Sequence, residues 1–290
     1  MEERFDLNQI SKAVEEEVIG QQEAITLIHN TIAANFIKRM KTNKIRGPLA
    51  SFLLVGHTGV GKTETAKQYA AQLSRFGWHY YRIDMSEYSD YHTVSSIVGS
   101  PKGYVGSDTP GRLTEHLKNH PVSVILIDEL EKGHPKVYDV LLQMLDEARL
   151  TDMSFGFTVN FPWSIIFVTS NLASEEISKV ASEIEDPTEK EITMKALLQQ
   201  RGIRPEILGR VDKIVPFVNL SEEHYRKITE KILRNCNVPY DERLIEETYQ
   251  KFKVALNYGV REYVRQVENH FLLEGHLERP SPSRRESFLI

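Results

Sequence analysis

Apolar residues occur along the first three quarters of the chain in short continuous runs that end in glycine or in polar residues. Segments with helical composition separate these runs, and one of them, residues 174–200, is interrupted by the sequence EDP. Such runs are typical of buried strands in a parallel sheet that is covered by helices on both faces. We therefore predict an α/β fold with a five-stranded parallel sheet. The predicted strands lie within residues 50–56, 79–85, 122–130, 163–171 and 211–218.

The pattern changes after Asn219. Three segments that follow have helical periodicity, with no strong strand pattern between them, and these are residues 221–236, 241–252 and 259–277. The change predicts two domains, a large α/β domain over residues 1–219 and a small, mainly helical domain over residues 220–290. The terminal sequence SFLI is predicted to add one short strand to the small domain.

Composition narrows the range of possible functions. The chain has 290 residues, 40% of them hydrophobic, which is enough to form a sizeable core. The formal net charge of -5 argues against a generally basic surface, so we expect no nucleic-acid partner. Cys236 is the single cysteine, which excludes an intramolecular disulfide and fits a reducing compartment. With no apolar run long enough to span a bilayer and an acidic amino terminus, we expect a cytoplasmic protein without a membrane partner.

The sequence GHTGVGKT follows the first predicted strand and opens a predicted helix at Lys62. It contains Gly56, four further residues, and then Gly61, Lys62 and Thr63. Glycines let successive backbone N–H groups turn toward phosphate oxygens, the lysine reaches the outer phosphates, and the threonine hydroxyl ligates magnesium. The spacing, the strand and the helix agree, so a chance glycine turn is the weaker interpretation. This segment predicts a site for ATP and Mg2+.

Polar side chains follow two other predicted strands. Asp128 and Glu129 end the run VILIDE, and Asn171 ends the run FVTSN. Ligands of parallel α/β sheets bind at the carboxyl ends of the strands, where these residues would meet the phosphate loop. Asp128 is predicted to hold the magnesium ion through water, Glu129 to polarise the attacking water, and Asn171 to orient that water. Taken singly, each could be an ordinary loop residue, and their combination favours the catalytic interpretation.

These residues, with others in the same order, resemble the AAA+ ATPases of the Clp (ClpA/ClpB-type) unfoldase and disaggregase family, specifically their second ATPase module. The resemblance covers almost the whole chain. The matching blocks are VIGQ (18–21), GVGKTE (59–64), IDMSEY (83–88), GSPKGYVG (99–106), LIDELEKGHP (126–135), LLQMLDEARLTD (141–152), TSNL (169–172), RPEILGRVD (204–212) and YGVRE (258–262).

The resemblance implies a homo-oligomeric ring, usually of six subunits, with ATP bound between neighbours. The resemblance implies that Val18 and Ile19 line the adenine pocket. The further residues that it implies for nucleotide binding are Gly56, His57, Thr58, Gly59, Val60, Gly61, Lys62, Thr63, Glu64 and Asp128. Glu129 and Asn171 match the catalytic glutamate and the first sensor. Arg210 matches the arginine finger that reaches the neighbour's ATP, and Arg261 matches the second sensor on the helical lid. From the residues alone, Arg210 would more simply form a surface salt bridge.

The resemblance also suggests a role for an aromatic residue between glycines. The segment Gly103, Tyr104, Val105 and Gly106 is similar to the family's pore loop, in which the aromatic side chain grips an extended polypeptide. An aromatic ring offers a large apolar contact without demanding a particular sequence, and flanking glycines allow the loop to move. The alternative is a tyrosine that anchors a loop to the core.

The chain departs from the family pattern at several positions. His57, Lys102, Gly133 and Ala148 stand where the family has proline, proline, alanine and glycine, respectively. The predicted hairpin LTDMSFGFTVNF is more apolar than its usual counterpart, so Phe155 and Phe157 are candidates for a second substrate or partner contact. A Phe-Gly-Phe sequence in this segment does not indicate a peptidase partner. With only about 17 residues before VIGQ, we expect either a stand-alone single-ring remodeller or a fragment of a longer protein.

Taken together, the sequence predicts an ATPase that couples hydrolysis to the unfolding or remodelling of proteins by threading polypeptide through a ring pore. The alternative is an ATP-dependent interaction switch or assembly factor of the same superfamily that does not thread its partner. A DNA motor or loader is disfavoured by the charge balance and by the Tyr-Val loop.

Overall fold

The computed structural model describes residues 6–42, 46–104 and 106–273. These form two compact units. The first contains the described residues up to His57 and those from Gly61 to Asn219, and the second contains Thr58–Val60 together with the described residues from Leu220 onward. None of the described helices is long and apolar enough to cross a membrane.

The first unit contains the predicted five-stranded parallel sheet. Its strands run in the order β2-β3-β6-β1-β7, and β4 and β5 form a separate antiparallel hairpin. The strands are β1 (Ala50–Val55), β2 (His79–Asp84), β3 (Ser123–Asp128), β4 (Arg149–Thr151), β5 (Thr158–Asn160), β6 (Ile165–Ser170) and β7 (Lys213–Pro216). The predictions of the α/β fold class and of the five strands are therefore confirmed.

Helices cover the sheet in the first unit and form most of the described part of the second. They are α1 (Leu7–Glu17), α2 (Gln22–Thr42), α3 (Lys62–Ser74), α4 (Tyr91–Val98), α5 (Arg112–Asn119), α6 (Val137–Glu147), α7 (Ser174–Glu183), α8 (Pro187–Gln200), α9 (Pro205–Leu208), α10 (Glu222–Asn235), α11 (Glu242–Phe252) and α12 (Val260–Leu273). The EDP interruption predicted within 174–200 separates α7 from α8, where the Asp186 side chain caps α8 by accepting from the Glu189 amide. The predicted SFLI strand lies outside the described residues.

The burial of the strands follows their apolar composition. Every residue of β1, β3 and β6 is buried, as expected for central parallel strands with helices on both faces. Because the strands are parallel and in register, their carboxyl ends share one edge, with Val55 opposite Ser170 and Asp84 opposite Asp128. The loops that follow these ends therefore meet at that edge.

Ala148 occupies a backbone position that favours glycine. It ends α6 with a φ of 48° in the left-handed region, where a Cβ is disfavoured. The expectation of glycine at this position thus has a direct conformational reason.

Three histidines gather at the β2 edge of the sheet. The His79 and His120 rings stack with centroids 3.8 Å apart, and the His116 ring lies 5.1 Å from that of His120. Burial, together with the charges of His120 and His79, lowers the pKa of His116 to about 4 from its ordinary 6.5. Its Nε2 lies 3.2 Å from Ser123 Oγ, within hydrogen-bond distance.

This shift predicts a stability loss in mild acid. Between pH 6.5 and about 4 the unfolded chain protonates His116 while the folded chain does not, so stability falls as the pH is lowered through this window. We expect His116→Gln to remove this pH-dependent part of the free energy of unfolding. It amounts to about 1 kcal/mol at pH 5, because partial exposure of the ring to solvent reduces the effect. Urea unfolding of both proteins at pH 7.5 and pH 5 measures it. An equal loss in both proteins would contradict the assignment to His116.

Candidate nucleotide-binding site

The phosphate loop connects β1 to α3 at the shared carboxyl edge. Gly56 has a φ of 151°, and a Cβ there would lie 2.6 Å from the carbonyl oxygen of Phe217, so this position tolerates no side chain. Gly61 has a φ of 108° and immediately precedes the first residue of α3. The amides of a helix's first turn have no partner within the helix and attract anions. The geometry therefore suits a phosphate group.

Lys62 is held in the loop by three acceptors. Its Nζ donates to the carbonyl oxygens of Gly56 at 2.6 Å and His57 at 2.7 Å, and to Asn171 Oδ1 at 2.8 Å. The ammonium group is therefore positioned inside the loop, between it and the end of β6. This placement brings together two residues that the sequence predicts for the same site.

Asp128 is the centre of a hydrogen-bond network at the end of β3. Thr63 Oγ1 donates to its carboxylate at 3.0 and 3.2 Å, and Thr169 Oγ1 donates at 2.6 Å. Arg82, on β2, donates to Asp128 Oδ2 through Nε at 3.1 Å and through a terminal nitrogen at 2.9 Å. Burial lowers the pKa of Arg82, but its hydrogen bond and charge interaction with Asp128 raise it overall, so this cation persists. The buried carboxylate is thus fully compensated.

Glu129 follows Asp128 in a constrained backbone conformation. Its φ of 57° lies in the left-handed region, and its amide donates to Thr169 Oγ1 at 2.9 Å. Its carboxylate forms a 2.7 Å ion pair with Lys132, and this hydrogen bond raises the lysine pKa. Non-glycine residues in this conformation are concentrated at functional sites, where the surrounding structure compensates the strain.

Asn171 is oriented from both sides of its amide. Its Oδ1 accepts from Lys62, and its Nδ2 donates to Glu131 Oε1 at 2.9 Å. The Asn171 backbone amide donates to the same Glu131 oxygen at 3.1 Å. The other carboxylate oxygen of Glu131, Oε2, is buried and has no hydrogen-bond partner among the described residues. A buried acceptor beside Lys62 and Asn171 adds a further polar group to this site.

The donor set fits a magnesium ion. Mg2+ prefers oxygen ligands and keeps several waters, and the Thr63 hydroxyl and the Asp128 carboxylate lie within 3.2 Å of each other. These two residues are the ones that would hold the ion. The described residues contain no group of three or more His, Cys, Asp or Glu that could hold a metal by themselves. A magnesium ion would therefore need oxygens from phosphate and water as well.

The predicted adenine-binding segment borders the phosphate loop. Val18 is buried, and a Cβ at Gly61 would lie 3.1 Å from its Cγ1 atom, whereas Ile19 is half-buried. Gln21 fixes this segment to the end of the sheet. Its Nε2 donates to the Val218 carbonyl at 2.8 Å, and its Oε1 accepts from the Val218 amide at 3.1 Å. This places Val18 at the phosphate loop, while its contact with adenine stays a prediction.

Arg210 lies away from these residues. Its Nε forms a 2.6 Å ion pair with Asp146, and a terminal nitrogen donates to the Glu206 carbonyl at 3.1 Å. Two positions further on, the Asp212 amide donates to the Ser51 carbonyl near the amino end of β1. Arg210 therefore lies near the amino ends of the strands, at the opposite end of the sheet from the phosphate loop. Arg261, in the first turn of α12 in the second unit, is exposed, and its role also stays a prediction.

The aromatic loop consists of residues 99–104 and 106–111, and Val105 lies outside the described residues. Tyr104 is 72% exposed, which contradicts the alternative of a core anchor. In the β4–β5 hairpin Phe155 is 58% exposed, whereas Phe157 is partly buried against the core. Lys118 Nζ lies over the Phe157 ring, 4.5 Å from its centroid. Phe155 is thus the more accessible of the two phenylalanines, and a contact of either one with a substrate or partner stays a prediction.

Sequence reasoning missed three polar residues of the site, Arg82, Thr169 and Glu131. Thr169 lies in β6 two positions before Asn171, which directly follows the strand, and this period-2 relation could have identified it. The neighbours of Arg82 and Glu131 depend on strand order and on the turn after β3, which the sequence pattern does not specify.

Comparison with known proteins agrees with this geometry. A family model described as "AAA domain (Cdc48 subfamily)" matches residues 47–214. The chain is 44% identical over 248 residues to "Chaperone protein ClpB" of Staphylococcus aureus (strain COL), an alignment that covers 84% of this chain and 27% of that protein. It is 39% identical over 276 residues to "Chaperone protein ClpB" of Bacillus anthracis, covering 92% of this chain and 31% of that protein. The chain thus spans less than a third of the length of these relatives.

Proposed function

The chain belongs to the AAA domain family (Cdc48 subfamily), whose members are nucleotide-binding ATPases, and we propose that it couples ATP hydrolysis to the remodelling of other proteins by threading polypeptide through a ring. The name "Chaperone protein" of its relatives supports a protein substrate. The observation that carries the proposal is the combination of an ordered phosphate site with an exposed tyrosine on a glycine-flanked loop. We propose the cytoplasm as the location, in keeping with the lone cysteine.

The phosphate site supplies each function that hydrolysis needs. The glycine loop and the α3 amides bind the phosphates, and Lys62 exchanges its loop carbonyls for phosphate oxygens. Thr63 and Asp128 would hold Mg2+, which neutralises phosphate charge when bound. Glu129 takes the proton of the attacking water, and Asn171 holds that water with the amide that Glu131 orients.

The proposed role of Glu129 requires its carboxylate to change partner. In the structure its carboxylate pairs with Lys132, whose side chain is half exposed. Action as a base requires the carboxylate to leave that pair and face the water. A solvent-exposed ion pair is weak enough to permit this change, since such pairs contribute about 0–1 kcal/mol.

Substrate contact is proposed for Tyr104. We expect Tyr104→Ala to leave basal ATP hydrolysis largely intact while abolishing stimulation by a permanently unfolded polypeptide, because the side chain projects into solvent and not into the core. Tyr104→Phe should be mild, since the ring supplies the apolar contact. The measurement is the ATPase rate with and without carboxymethylated α-lactalbumin.

Tyr91→Ala is the matched control, because Tyr91 is a 58% exposed tyrosine on α4, outside the aromatic loop. A large drop in melting temperature for both Tyr104 variants would make the residue a structural anchor. Full stimulation in Tyr104→Ala would favour an ATP-dependent interaction switch that does not thread. Stimulation by single-stranded or duplex DNA, and not by polypeptide, would favour a DNA motor.

A further inference from the structure

The aromatic loop is joined at its base to the tip of the β4–β5 hairpin, residues 152–157. The Met153 amide donates to the Val98 carbonyl at 2.7 Å, immediately before the aromatic loop begins. The two segments are about fifty residues apart in the chain, and each presents an exposed aromatic side chain, Tyr104 or Phe155. Their bases are therefore one structural unit even though the sequence shows two separate loops.

Asp152 is the centre of this junction. It is fully buried, yet its carboxylate accepts four hydrogen bonds. Oδ2 accepts from the Gly111 amide at 2.8 Å, at the end of the aromatic loop, and from Thr114 Oγ1 at 2.5 Å, in the first turn of α5. Oδ1 accepts from the amides of Ser154 at 3.0 Å and Phe155 at 2.9 Å, both in the hairpin tip. A buried carboxylate satisfied in this way holds its partners in one arrangement.

Ser154 closes the other side of the junction. Its Oγ accepts from the Ser100 amide at 2.9 Å and donates to the Ser100 carbonyl at 3.1 Å. The two ends of the aromatic loop and the hairpin tip lie very close together. A Cβ at Gly99 would lie 2.6 Å from Ser154 Oγ, and a Cβ at Gly111 would lie 2.4 Å from the Gly99 nitrogen. The two ends of the aromatic loop therefore touch each other and the hairpin.

The hairpin also connects this junction to the nucleotide site. From β5 the chain passes through residues 161–164, where Phe161 is fully buried, into β6. Thr169 and Asn171, at the end of β6, belong to the phosphate site. The hairpin tip is therefore linked in the chain, through a segment that contains a fully buried side chain, to the strand that ends at the phosphate site.

We propose that Asp152 is a positioning residue that, with Ser154, braces the aromatic loop against the hairpin tip, so that Tyr104 and Phe155 contact an extended, apolar polypeptide as one unit. This inference rests on the proposed function for its purpose. The brace itself is a property of the folded chain and has its own physical readout.

The experiment compares Ser154→Ala with Thr151→Val in the full chain. Thr151 is the matched control, because its hydroxyl bonds Thr158 across the same hairpin, at 2.9 Å, on an exposed face. Hydrogen–deuterium exchange of peptides covering residues 99–111 measures how firmly the aromatic loop is held. ATPase stimulation by carboxymethylated α-lactalbumin measures whether this ordering contributes to substrate contact. We expect Ser154→Ala to accelerate exchange and reduce stimulation about fivefold with an unchanged basal rate, because both hydrogen bonds of the Ser154 hydroxyl to Ser100 are lost. Thr151→Val should change neither quantity.

Unchanged exchange in Ser154→Ala would overturn the brace, and faster exchange with full stimulation would overturn its role in substrate contact. Tyr104→Ala, measured in parallel, separates the two proposals. If it loses stimulation while Ser154→Ala keeps it, the proposed function stands and this inference fails. If Tyr104→Ala also keeps full stimulation, the proposed function fails, and exchange alone decides the brace. Should Ser154→Ala not fold, Asp152→Asn provides the same two readouts, because an amide cannot accept from all four donors.

Discussion

Lys62→Ala is expected to weaken ATP binding, whereas Glu129→Gln is expected to keep binding and lose turnover. Lys62 carries a charge at the centre of the phosphate loop, and loss of its charge-assisted bonds should raise the Kd for ATP by about 10- to 100-fold. Glu129 acts on the water only during the reaction, so its amide analogue should lower kcat by about 10²- to 10⁴-fold at nearly unchanged Kd. Titration with a fluorescent ATP analogue and single-turnover hydrolysis measure the two effects separately.

The control for this pair is Glu131→Gln. Glu131 orients the Asn171 amide but does not face the water in the proposed mechanism, so we expect a smaller loss of kcat than in Glu129→Gln. An equal loss of ATP affinity in Lys62→Ala and Glu129→Gln would contradict the assignment of Glu129. Equal kcat losses in the two glutamate variants would contradict the assignment of the catalytic base to Glu129.

The sheet was predictable because its information is local. Runs such as ASFLLV and SVILID are mostly apolar, and the first is followed by Gly56 while the second ends in Asp128, so each strand and its carboxyl end can be predicted from a single segment. The same reasoning predicted that Lys62, Asp128 and Asn171 would meet, because carboxyl ends of parallel strands share an edge.

The partners of these residues were not predictable in the same way. Arg82 reaches Asp128 only because β2 lies beside β3, and Thr169 reaches it only because β6 lies on the other side. Neither of these strand neighbours can be predicted from a single segment of the sequence. The same holds for Asp152, whose four donors come from two separate places in the chain, and for Phe157, whose ring packs partly against the core.

The position of Arg210 limits which phosphate site its side chain can reach. The phosphate loop begins at Gly56, after the carboxyl end of β1, whereas Asp212 is bonded to Ser51 near the amino end of the same strand. Five residues of strand separate the two levels by about 17 Å, which exceeds the reach of an arginine side chain. Arg210 therefore lies out of reach of the phosphate loop of its own chain. The ion pair with Asp146 is observed, and contact with the ATP of a neighbouring subunit is our proposal.

The ion pair gives a control that separates these roles. Asp146→Asn removes the partner charge while leaving Arg210 in place. If Arg210 is structural, Asp146→Asn and Arg210→Ala should lose hydrolysis to the same degree. If Arg210 acts on a neighbour's ATP, Asp146→Asn should retain hydrolysis, because an exposed pair contributes only about 0–1 kcal/mol and its loss releases the guanidinium.

Mixing Arg210→Ala with Glu129→Gln should restore ATP hydrolysis that neither protein has alone. In a closed ring with head-to-tail contacts, some interfaces combine the intact Glu129 of the Arg210→Ala subunit with the intact Arg210 of its neighbour. An arginine finger accelerates phosphoryl transfer on the order of a thousand-fold, so even a few such interfaces would exceed the background rate. The measurement is the ATPase rate across mixing ratios, with light scattering to show that mixed rings form. Mixed rings as inactive as both parents would leave Arg210 with its ion pair to Asp146, and a site shared between subunits would lose the support of this residue.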